Sequence, residues 1–146
     1  MNIDKDFVLL GKVTLTIELP SGNHYTYAIN GKEGDSQYPP AWFVSLLTGS
    51  NNERDYSYIG MLEPKTGNVR LTRASKFNED TLPVKLLVRT LARIWSDELD
   101  VIRQHGYNVH HSGKCGICGK KLTTPESIER GIGPDCFKHH ELKCIS

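Results

Sequence analysis

The chain has 146 residues, the length of one ordinary domain or two small ones, and its formal net charge of +1 excludes a polycation that would hold nucleic acid by bulk charge alone. A hydrophobic fraction of 38% is low but above that of a disordered chain, and no stretch approaches the ~20 apolar residues of a membrane span. The opening MNIDKDFVLLGK carries acids where a secretory signal carries Lys or Arg, so a cytoplasmic protein is expected.

The first 75 residues read as strands and turns. Val13, Leu15, Ile17 and Leu19 alternate with Thr14, Thr16 and Glu18, the period of a half-buried strand. Pro20 to Asn23 is turn chemistry, and His24 to Ile29 is the return strand of a hairpin. After a polar loop over 30–40, further strands are expected at 42–48, 56–62 and 69–73, giving an antiparallel meander. Tyr25, Tyr27, Tyr56 and Tyr58 are either ordinary strand residues or side chains projecting toward a partner.

Over 82–96 the period changes. Val84, Leu87, Val88, Leu91, Ile94 and Trp95 fall on one face of a helix, with Pro83 in its first turn and Thr81 or Asp80 as the cap. Residues 97–109 read as a connector, with a short strand at 107–109 feeding the cysteines. The expected architecture is α+β. A sheet with one packed helix occupies 1–100, and a small treble-clef-like module occupies 101–146.

The charge is uneven between these parts. Residues 1–100 hold 11 Lys/Arg against 13 Asp/Glu, whereas 101–146 hold 7 against 4, so any basic face belongs to the C-terminal part. All four cysteines lie there too: Cys115, Cys118, Cys136 and Cys144. A disulfide framework would be spread along the chain, so clustering in a reducing compartment points to a metal.

Cys115-Gly-Ile-Cys118-Gly has the form of a zinc knuckle, in which two thiolates two residues apart grip one tetrahedral ion from a tight turn. Cys136 follows Gly131-Ile-Gly-Pro134, and the proline places it near a helix start. Four ligands are needed for a closed structural site, and spacing alone leaves Cys144, His139, His140, His110 and His111 open as the fourth.

The string HSGKCGICGKKLTTPESIERGIGPDC, residues 111–136, resembles a zinc-module family of unknown function, DUF6011, found in phage and bacterial proteins. The upstream Val44 to Gly49, Tyr58 to Gly60 and Leu71-Thr72 also resemble a segment met ahead of that module in phage proteins. The family has a histidine four positions before its first cysteine. The resemblance therefore implies His111 as the fourth ligand, beside Cys115, Cys118 and Cys136, of one structural Zn2+. Cys144 is a departure from the family pattern.

Three functions are weighed. In the first, the module binds DNA or RNA non-catalytically, with Lys114, Lys120, Lys121, Arg130 and Arg103 on phosphates and Tyr107 on bases. In the second, a phage-encoded inhibitor or adaptor binds a host defence or transcription protein through the sheet, the zinc being a folding staple. The third is a His-metal nuclease. It needs a free base histidine and an open metal position, and the sequence offers neither clearly; no phosphate-cradling glycine loop is visible either. The reading carried forward is the first: no enzyme, no membrane partner and no small-molecule substrate.

Overall fold

In the computed structural model, the described residues are 3–51, 54–122, 125–134 and 136–138. Alternation builds the sheet. In β1 (Lys12–Glu18), Val13, Leu15 and Ile17 are buried while the residues between them are not. The turn at 20–23 closes with Leu19 N–H on Asn23 O (2.8 Å) and Gly22 N–H on Leu19 O (2.9 Å), and β2 (His24–Lys32) returns antiparallel. Next come β3 (Ala41–Leu47), β4 (Tyr56–Leu62) and β5 (Val69–Arg70), each antiparallel to the strand before it. The last expected strand is cut to two residues, because Thr72 turns back on Ser75, whose hydroxyl accepts the Thr72 N–H at 2.8 Å.

Helix α2 (Leu82–Trp95) buries Val84, Leu87, Leu91 and Ile94 of the expected stripe, whereas Val88 at its margin is exposed and Trp95 half-buried. Thr81 stands at the N-cap, but its hydroxyl donates to Asn78 O rather than capping the helix. Two side chains tie the helix to the sheet part: Tyr27 Oη donates to Pro83 O (2.6 Å) and Trp95 Nε1 to Pro64 O (2.9 Å). Tyr27 is therefore a core residue, fully buried, and does not project toward a partner as one reading allowed. Its directly opposed neighbour Leu15 lies on the same core face. Tyr58 lies on the other face, its ring 6.3 Å from that of Phe43.

Two helices ahead of the cysteines were not expected. A single turn, α1 (Lys5–Val8), is capped by Asp4, whose carboxylate accepts the Phe7 N–H, and it buries Phe7 and Val8. The expected connector contains α3 (Leu99–Gln104), which buries Leu99 and packs beside α2. The short strand expected at 107–109 is β6 (Asn108–His111), and it pairs with β1, opposing Leu15 to His111 and Ile17 to Val109. The sheet order is β5-β4-β3-β2-β1-β6. The sheet thus takes its last strand from beyond the expected boundary at 100/101, which falls inside α3. No helix among the described residues is long and apolar enough to cross a membrane.

The Tyr27 hydroxyl is the only group on that side chain that a phenylalanine lacks. Tyr27→Phe is expected to lower unfolding stability by about 1 kcal/mol, from one lost hydrogen bond on a buried side chain. Urea unfolding followed by circular dichroism measures it. An unchanged midpoint would show that the Pro83 contact contributes nothing.

Candidate metal centre

From β6 the chain runs into a small hairpin. Cys115 N–H donates to Lys120 O (2.8 Å), Leu122 N–H to Gly113 O (2.9 Å) and Gly119 N–H to Cys115 O (2.9 Å). Gly119 closes the turn at φ +81°, a conformation that L side chains rarely adopt. Inside this knuckle the Ile117 N–H points at Cys115 Sγ (3.4 Å). Helix α4 (Pro125–Arg130) follows. Residues 136–138 are then helical, with Phe137 N–H on Gly133 O (2.8 Å), so Cys136 stands in a first helical turn, as the proline implied.

This path brings Cys115, Cys118 and Cys136 together, their sulfurs all within 4.8 Å of one another. A tetrahedral ion with metal–sulfur bonds of ~2.3 Å spreads its sulfurs ~3.8 Å apart, so the trio is of the right size to hold one. Its surroundings are partly apolar. Cys115 is fully buried with Leu122 and Ile132, and Leu10, Ile117 and Phe137 pack around them.

The electrostatics of the trio call for a cation. Burial raises the Cys115 thiol, but hydrogen bonds from the backbone of Gly133, Cys118 and Ile117, and from the Cys118 side chain, outweigh it and bring it down to about 7. At Cys136 burial and the neighbouring sulfurs of Cys118 and Cys115 act in the same direction and push the thiol up to about 12. One sulfur ionises readily, and its charge then opposes ionisation of the next. A metal ion among the three reverses that opposition.

His111 stands outside this group. Its strand register sets it opposite Leu15, on the core face, where its ring meets Phe7 edge-on at 5.8 Å. Its Nδ1 accepts the Gly113 N–H at 3.0 Å. Burial lowers the pKa of the ring, against a backbone hydrogen bond with Ile128 that favours the protonated form. His139, His140 and Cys144, the other proposed ligands, lie outside the described residues. His110 faces away from the core, opposite Thr16.

The five basic residues separate into two sets. Lys114, Lys120 and Lys121 are exposed on the knuckle hairpin, with Lys114 and Lys121 directly opposed across an antiparallel bridge. Arg130 instead stacks its guanidinium 4.0 Å over the Phe137 ring, with a buried Nε that has no hydrogen-bond partner among the described residues. Arg103 lies on α3, 3.9 Å from the Asp100 carboxylate. Two residues that the sequence did not single out dock the module onto the sheet. Lys12 N–H donates to Gly116 O (2.7 Å), and Leu10 covers Gly116, where a Cβ would come within 2.7 Å of Leu10 Cδ1.

Cobalt(II) reports thiolate ligation by a near-ultraviolet charge-transfer band. Titration should give this band in the wild-type chain and a weaker, lower-affinity one in Cys118→Ser. Binding displaces thiol protons, so the apparent affinity is expected to fall as pH drops from about 8 to about 6. Identical spectra for the two proteins would remove Cys118 from the ligand set, and a pH-independent affinity would mean that thiolates are not the donors.

No curated protein and no solved structure matches the chain. Residues 109–141, the segment that carries the three-cysteine group, match the model of a family of unknown function, DUF6011.

Proposed function

We propose that the C-terminal module holds one structural zinc ion and that the protein binds nucleic acid, without catalysis, through the lysines beside it. Zinc is favoured by the donors: three sulfurs suit a borderline-soft ion, whereas calcium and magnesium take oxygen. A structural role follows from the size of the local core, which among the described residues holds three buried side chains. So few apolar groups leave much of the folding energy to the metal.

One observation carries the nucleic-acid reading. Lys114 and Lys121 oppose each other directly, Lys120 is next in sequence, and no carboxylate among the described residues pairs with any of them. Like charges set opposite one another are destabilising. A phosphate between them turns that repulsion into two charge-assisted contacts. Arg103 and Arg130 have partners of their own and supply less.

The second reading, binding to a host protein, is favoured by a different feature. A groove of about 530 Å³ runs between α2 and α3, floored by Leu19, Leu86, Ile102 and Tyr107, and Leu82 on its rim is 53% exposed.

Fluorescence anisotropy of a labelled single strand against the zinc-loaded protein distinguishes the two. Each lysine–phosphate contact on a single strand contributes about −0.7 to the slope of log K against log salt, so the three hairpin lysines give at least about −2 and Lys120→Gln/Lys121→Gln makes the slope shallower by about 1.4. Binding of DNA and RNA with neither salt dependence nor sensitivity to that variant would refute the lysine contact. Failure to bind at all up to ~100 μM would refute the reading and favour the second.

A further inference from the structure

A second groove, of about 450 Å³, lies where the knuckle meets the sheet. Its walls come from the α1–β1 turn, from the ends of β1, β2 and β3, and from the knuckle itself: Leu9 and Leu10, Trp42 and Pro40, and Ile117 at the tip. The indole of Trp42 is fixed, since its Nε1 donates to Leu9 O (3.1 Å) and its edge lies over Gly31. Two backbone donors nearby are taken, Lys12 N–H by Gly116 O and Gly31 N–H by Gly11 O. The side chains of its walls offer a ligand apolar and aromatic surface.

Its rim is basic. Lys12 and Lys32 are exposed and border it, against the single carboxylate of Glu33. Neither lysine has an ion-pair partner among the described residues. Lys12 also runs beside Gly119, whose added Cβ would lie 3.6 Å from Lys12 Cδ. Gly119 precedes Lys120, so the Lys12 side chain meets the hairpin one residue from its lysines. An aromatic wall beside a chain of cations is the combination that holds an unpaired base and its flanking phosphates. A paired base presents only its edges and cannot enter.

We propose that this groove is a base-binding site for single-stranded nucleic acid, with Trp42 and Ile117 as its walls and Lys12 and Lys32 as its phosphate contacts. The inference deepens the nucleic-acid reading and rests on it. It places the sheet in the binding surface and selects a single strand over a duplex.

The chain has two tryptophans, so Trp95→Phe leaves Trp42 as the sole reporter. The zinc-loaded full chain is titrated with an oligodeoxythymidylate of about 8 nucleotides, within the usual site sizes for such binders. Trp42 emission should be quenched in parallel with the anisotropy change. A duplex of the same length should not quench it, and Ile117→Glu should weaken binding about tenfold. Should Trp95→Phe fail to fold, fluorine NMR of the wild-type chain carrying 5-fluorotryptophan gives a separate signal for each indole, and one of the two should shift. Binding seen by anisotropy with both indoles undisturbed would overturn the groove while leaving the lysine surface standing. Equal quenching by duplex would overturn the choice of a single strand. No binding by either readout would overturn both this inference and the reading beneath it.

Discussion

Strand β1 is paired along both edges, and the module depends on the second pairing. On one side β2 takes it through a tight turn. On the other, β6 arrives after α2 and α3 have covered the core, and sets Val109 opposite Ile17 and His111 opposite Leu15. Because β6 ends only four residues before Cys115, the sheet dictates where the knuckle begins. The bond from Lys12 N–H to Gly116 O then holds the knuckle against the start of the same strand. The cysteine hairpin is thus seated at both its entry and its turn by one strand of the larger sheet.

Within that seat, the chemistry is governed by crowding of like groups. Three sulfurs are gathered around one point, and two lysines are set face to face a few residues away. Each arrangement is unfavourable on its own, and each is relieved by an ion of opposite sign, a cation for the thiolates and an anion for the ammonium groups. The proposed structural and binding roles therefore draw on separate residues of one small segment.

Periodicity was legible in β1 and α2: alternation marked the strand and the apolar stripe from Val84 to Ile94 the helix, because burial on one face leaves a pattern over several residues. The strands β2 to β4 were legible from the turn residues that bound them rather than from alternation. The two-residue spacing of Cys115 and Cys118, with the glycines around Cys136, marked the sulfur group. The short helices and the registers were not legible. The single turn α1 and the six residues of α3 are too brief for a period. The position of His111 depends on which β1 residue it opposes, a fact about a partner some 96 positions earlier in the chain. The family resemblance named the residue but not the direction of its ring. Lys12 and Leu10 carried no motif at all, and their contacts with Gly116 exist only once the sheet has formed.

The order of the strands has a bearing on how the protein behaves at high concentration. The long strands β1 to β4 are all interior, and the sheet is bounded by β5, of two residues, and β6, of four. An open edge is a template on which a neighbouring chain can add a strand, and the hazard grows with its length and flatness. Here each margin ends before it can template more than a few hydrogen bonds. The apolar interior strands that make the fold stable are thereby kept from making it sticky.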